Sequence, residues 1–261
     1  MNWNVEVLRG VLLPFLGTGA GAAGVLLLRR ALDGLLRRTM AGFAAGVMVA
    51  ASIWSLLEPA IAQSGALGVW AFVPVAAGFW AGVLFLRALD ELVPPIADTA
   101  DLEADAALST RSTAMLVLAV TLHNVPEGMA VGVIYAGLLR GSPGITAAGA
   151  LALSMGIAVQ NIPEGAIISM PLRAEGMGRL RSFLWGILSG AVEPAAALLT
   201  LLAAAWVGPM MPCLLSFAAG AMLCVVVEEL VPEMNAGERS GAATLAFALG
   251  FTLMMALDVA L

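Results

Sequence analysis

Two short segments of this chain bring together side chains able to hold a cation. One is His123-Asn124-Val125-Pro126-Glu127-Gly128 and the other Gln160-Asn161-Ile162-Pro163-Glu164-Gly165. Each sits within a long apolar stretch, as does Glu193-Pro194 further on, and His123 is the single histidine. On a helix His123 and Glu127 are four positions apart and Asn124 and Glu127 three apart, so all three share a face; Gln160, Asn161 and Glu164 repeat that layout. Pro126, Pro163 and Pro194 lack an N–H, which frees the carbonyls of Leu122, Val159 and Gly190 as further acceptors. Imidazole, carboxylate and amide oxygen, with a thioether from Met48, suit a borderline divalent ion such as Zn2+, Fe2+, Mn2+ or Cd2+. Mg2+ would not favour histidine and methionine, and an alkali ion would not need so much charge.

Depth points the same way. Counted inward from the nearest arginine on one side, His123 lies 12 residues in, Gln160 13, Glu193 12 and Met48 10. At about 1.5 Å per residue all four reach roughly 15 to 20 Å, near the middle of a bilayer. An ionised glutamate there costs at least about 2.5 kcal/mol, and Glu127, Glu164 and Glu193 repel one another if all are ionised. No arginine or lysine lies deep enough to neutralise them. They must be protonated or hold a cation.

The elements that position these residues are membrane helices. Hydrophobic residues make up 61% of the 261 and charged residues 11%, against the roughly 25% charged that a soluble domain uses to cover its surface. Mean hydropathy is +0.98. Apolar runs long enough to span predict eight helices: Gly10 to Leu28, Thr39 to Leu57, Pro59 to Leu86 after a polar turn at Gln63-Ser64-Gly65, Ser112 to Leu139, Ile145 to Leu172, Ser182 to Val207, Pro209 to Val227 and Gly241 to Leu257. The N-terminus lacks the basic region of a signal peptide, so the first run is expected to be a mature helix. All 12 basic residues are arginine. Arg29, Arg30, Arg37, Arg38, Arg87, Arg111, Arg173, Arg179, Arg181 and Arg239 fall on one side, and Arg9 and Arg140 on the other. The ten-arginine side is therefore expected to be cytoplasmic and both termini extracytoplasmic.

Two further patterns bear on architecture. Phe43-Ala-Ala-Gly-Val-Met48 in the second span matches Phe217-Ala-Ala-Gly-Ala-Met222 in the seventh, each followed by a proline, Pro59 and Pro232. Spans an odd number apart run in opposite directions, which reads either as an inverted repeat of 3+2+3 helices or as shared small-residue packing. The loop after the third span, about residues 94–110, is acidic, with Asp90, Glu91, Asp98, Asp101, Glu103 and Asp105 in or beside it. It reads as a solvated loop or as a weak cation sponge. Cys213 and Cys224 stand 11 positions apart on one apolar run, about 16 Å of rise on a helix, too far for a disulfide.

With eight spans, both termini outside, the paired His/Gln-Asn-x-Pro-Glu-Gly motifs and the Glu-Pro of the sixth span, the chain resembles the ZIP family of divalent metal transporters over its whole length, and most the bacterial GufA-type branch. The resemblance implies uptake of metal, zinc foremost, through a two-metal centre. The first site would use His123, Glu127, Gln160 and Glu164 with Met48. The second would use Asn124, Asn161 and Glu193, sharing Glu127 and Glu164 as bridges. It implies an elevator-like motion of spans one, four, five and six against two, three, seven and eight, and an exit lined by Glu228 and Glu229, which read otherwise as interfacial charges. The chain departs from the family pattern at Gln160, where many members carry histidine, at Asn161, where some carry aspartate, and in a loop without histidine. Fewer basic and acidic ligands should weaken binding.

The reading is thus a single all-α transporter domain over 1–261 in a plasma membrane, the inner membrane of a bacterium, with lipid and divalent metal ions as partners. The metal is substrate and no cofactor is expected. A homodimer is compatible with the sequence. A net charge of -6 argues against nucleic acid. An intramembrane metallo-hydrolase would carry His-Glu-x-x-His, which is missing. A proton-coupled carrier of an organic cation is the remaining alternative.

Overall fold

A computed structural model of the chain describes residues 5–27, 33–92, 106–174, 176–204, 210–237 and 241–261. Every regular element among the described residues is helical. The long helices are α1 Val5–Leu27, α2 Gly34–Gln63, α3 Phe72–Leu92, α4 Ala106–Arg140, α5 Ala147–Ala174, α6 Arg179–Ala204, α7 Met211–Asn235 and α8 Gly241–Ala260. Among the described residues seven helices, α1 to α3 and α5 to α8, are long and apolar enough by length and composition to cross a membrane. The run expected over Ser112 to Leu139 lies inside α4, which has 35 residues. Leucines on the outer faces, Leu8, Leu12 and Leu16 on α1 and Leu245, Leu249 and Leu253 on α8, are exposed, at the spacing of one helical stripe.

Three boundaries differ from expectation, each for a physical reason. Pro59 does not open the third helix; it lies in α2, which absorbs it behind a π-helical turn at Ser52–Leu57. The wider turn re-pairs backbone groups that a proline would leave without a donor. The matching π turn in α7, Val226–Leu230, runs up to Pro232 in the same way. Asp90 and Glu91 belong to α3 rather than to the acidic loop; Asp98, Asp101, Glu103 and Asp105 lie outside the described residues, as do Arg29, Arg30 and Arg239. Helix α6 is broken between Ser189 and Val192. There the Gly190 carbonyl, expected to be freed by Pro194, accepts from the N–H of Glu193 at 3.0 Å. Neither cysteine is in a disulfide, in keeping with their spacing.

The helices pair through glycine. The most extensive contacts are α1 with α5, α4 with α6, α2 with α8 and α3 with α7, so they fall within two sets: α1, α4, α5 and α6, and α2, α3, α7 and α8. The contacts of the second set recur in matched form. A methyl group on Gly46 would overlap the Phe247 carbonyl, and one on Gly220 the Phe79 carbonyl; likewise Gly250 faces the carbonyl of Phe43 and Gly82 that of Phe217. Each π turn opens nine residues after its phenylalanine, Phe43 or Phe217. The site helices α4 and α5 end alike. Gly141 and Gly176 take positive φ, and backbone bonds from Ser142 to Gly137 and from Met177 to Leu172 close a Schellman turn on each. Apolar side chains from both sets, Met48, Leu56, Leu153, Ile157, Leu215 and Met222 among them, fill one continuous core.

Gly46→Ala is expected to destabilise the protein by about 1–3 kcal/mol through overpacking. Gly34→Ala, where a methyl group meets open space, should not. Thermal unfolding of the two variants in detergent checks this.

Candidate metal centre

The prolines at 126 and 163 leave α4 and α5 unbroken, so each motif presents its polar residues on a continuous helix. The break in α6 places Glu193 in the first turn of that helix's second half. Asn124, Glu127, Gln160, Asn161 and Glu193 are all buried, with Glu164 and His123 less so.

The contacts form a line. Glu193 Oε1 accepts from Thr18 Oγ1 at 2.8 Å and from Asn124 Nδ2 at 3.2 Å, and the same Asn124 amide reaches the Ser189 carbonyl at 3.4 Å. Gln160 Nε2 donates to Glu127 Oε1, and lies 3.3 Å from Asn161 Oδ1. Glu127, Glu164 and Glu193 lie near enough to influence one another's ionisation, and His123 lies near Glu164. At the far end His123 Nε2 meets Glu229 Oε1 at 2.5 Å.

These bonds use up one side of Asn124, Glu127, Gln160 and Glu193. Asn124 Oδ1, Glu127 Oε2, Gln160 Oε1, Glu164 Oε2 and Glu193 Oε2 are buried and have no hydrogen-bond partner. A sixth buried atom of the cluster without a partner, Asn161 Nδ2, is a donor nitrogen; the other five are oxygens. The orientation of Gln160 is dictated by chemistry, since only its NH2 can donate to a carboxylate, so its carbonyl oxygen is the atom left over. Five buried oxygens without donors, three of them carboxylate, are costly in an apolar interior, and a cation removes that cost. Among the described residues no three histidine, cysteine or acidic side chains converge on one point. The amide oxygens of Asn124 and Gln160 complete the donor set that the carboxylates and His123 begin.

Access is graded along the line. Glu229 is 38% exposed and His123 14%, whereas Glu127 is 2% and Glu193 1% exposed. The open end is the one where Arg87 pairs with Glu228 at 3.1 Å and Arg37 with Glu233 at 2.9 Å. Toward the opposite end Met48 and Ser52 are fully buried on α2, and Ser55 Oγ donates to Asp258 Oδ1 at 2.8 Å.

The expected site residues sort as follows. Asn124, Glu127, Gln160, Asn161, Glu164 and Glu193 come together with His123 at their exposed end. Met48 is buried in the apolar core of α2, as is its counterpart Met222. Glu228 and Glu229 separate: Glu229 turns to His123, while Glu228 turns to Arg87. Thr18 was not among the expected residues. No charged residue of α1 lies near it, Glu6 and Arg9 being in the first turns, and an isolated hydroxyl in an apolar glycine-rich stretch, Gly17-Thr18-Gly19, was the signal available.

The chain is similar over most of its length to known zinc transporters. A sequence model described as ZIP Zinc transporter matches residues 95–258. Zinc transporter ZIP11 of Xenopus tropicalis is 35% identical, covering 98% of this chain and 97% of its own. Zinc transporter GufA of Myxococcus xanthus is 36% identical over 96% of each chain. Zinc transporter ZIPB of Bordetella bronchiseptica is 37% identical over 95% of this chain and 78% of its own.

Gln160→Leu removes the donor to Glu127 and leaves a buried carboxylate oxygen bare. It should lower stability by about 1–3 kcal/mol, measured by thermal unfolding without added metal. Ile162→Leu, on an exposed face of the same helix, should leave the transition in place.

Proposed function

The chain belongs to the ZIP family of zinc transporters, and from that premise we propose that its metal crosses by way of the buried oxygens between α4, α5 and α6 and leaves past His123. The protein is a multi-pass plasma-membrane transporter of divalent metal ions, not an enzyme. The single observation that carries the assignment of the route is the set of five unpartnered oxygens on Asn124, Glu127, Gln160, Glu164 and Glu193.

Zinc is the first substrate on this reading, because the named relatives are zinc transporters. Cd2+, Fe2+ and Mn2+ share the taste for imidazole with oxygen. The first of two ions is held by His123, Glu127, Glu164 and the carbonyl oxygen of Gln160 in a state in which these side chains close on one point, as they do not in this structure, with the Met48 thioether approaching from α2. The second is held by Asn124, Asn161 and Glu193, with Glu127 and Glu164 as bridges. His123 exchanges its bond to Glu229 for the ion, which places Glu229 on the exit path. Glu228, held by Arg87, serves the interface instead.

Eight spans, with α4 as the eighth, and both termini outside give the open end of the line a cytoplasmic face, in keeping with its arginines. The structure then corresponds to a state facing inward. The paired glycine contacts and π turns support a 3+2+3 inverted repeat, and the division of helix pairings supports sliding of α1, α4, α5 and α6 against the other four. The whole chain acts as one transporter domain.

Glu164→Ala is expected to abolish zinc uptake into proteoliposomes while the protein remains folded; undiminished flux would contradict the assignment. Metal must displace protons from the carboxylates, so zinc affinity should fall as the medium is made more acid. An affinity constant across acid pH would be inconsistent with carboxylate ligands.

A further inference from the structure

Thr18 and Glu193 hold corresponding places in the structure. A methyl group on Gly165, which closes the second motif, would strike the Thr18 carbonyl; one on Gly128, which closes the first, would strike the Glu193 carbonyl. Each motif therefore packs its glycine on one of these two residues, and the two side chains meet at 2.8 Å. One repeat supplies a carboxylate there and the other a hydroxyl that donates to it. The Thr18 side chain is also pinned, lying so close over Gly190 that no side chain fits there. Gly190 is the point at which α6 breaks.

The consequence lies in the two oxygens of Glu193. Oε1 is occupied by Thr18 and Asn124, while Oε2 is buried and bare. A carboxylate held at one oxygen has its rotamer fixed and offers the other as a monodentate ligand. Asn124 uses its amide nitrogen on the same Oε1, which leaves its own Oδ1 bare as well. We propose that Thr18 is a positioning residue that presents Glu193 Oε2 to the metal; the inference rests on the reading of Glu193 as a ligand. Thr18 touches no ion itself. It acts as the outer hydrogen-bond partner that orients a ligand.

The test is zinc binding by detergent-purified full-length protein, measured by equilibrium dialysis, in a double-mutant cycle. Thr18→Val keeps the shape and removes the hydroxyl, and Thr18→Ala removes it with less bulk. Both should weaken zinc binding about 10-fold or more, and Thr18→Ser should restore it. In a Glu193→Ala background Thr18→Val should have no further effect. Wild-type affinity in both hydroxyl-free variants, with Glu193→Ala impaired, would overturn the role of Thr18 and leave Glu193 as a ligand. An equal loss from Thr18→Val with and without Glu193 would show a merely structural role and overturn it too. Unchanged binding in Glu193→Ala would remove Glu193 from the site and the inference with it.

Discussion

Carboxylates placed where neither water nor a basic residue can reach them are the constraint on which this structure turns. Glu127 and Glu193 are buried, with Glu164 beside them, and each spends one oxygen or none on a protein donor. No lysine exists in the chain, and the arginines with described partners pair at helix ends, as Arg87 and Arg37 do. A permanent salt bridge would have neutralised the three glutamates and closed the site. What is left is a group of carboxyl and amide oxygens that a proton or, on the proposed reading, a metal ion must satisfy.

Holding such groups together requires helices that approach closely. Glycines facing carbonyls do this on both sides of the site, and the matched contacts make the helices pairwise equivalent. Function enters where the equivalence is broken. His123 stands opposite Gln160, and Glu193 opposite Thr18. One member of each pair has charge or imidazole to offer, and the other is a neutral donor to a glutamate: Gln160 to Glu127 and Thr18 to Glu193.

Much of this was legible in the sequence because the signals are local. The two Pro-Glu-Gly motifs fix their polar residues on one helix face by spacing alone, and the apolar runs mark the helices to within several residues. The remainder depended on contacts between helices far apart in sequence. Thr18 reaches a residue 175 positions away, and nothing near it in the chain announces a partner. Pro59 looked like a helix start because proline ordinarily is one; the π turn that lets α2 run through it follows from packing. Glu228 and Glu229 diverge because neighbours on a helix point about 100° apart, which a motif of two equal letters conceals. Met48 keeps its place in the repeat but is packed in the core of this state, since a thioether serves as well for filling space as for binding metal.

The central claim is that metal rests on these oxygens and on one imidazole. X-ray absorption at the zinc edge, on purified protein loaded with zinc, tests it most directly. The account predicts a shell dominated by oxygen and nitrogen at about 2.0–2.2 Å, with an imidazole signal that His123→Ala removes and a count of oxygen neighbours that Glu127→Ala reduces. A shell dominated by sulfur, or a spectrum unchanged by both substitutions, would contradict it.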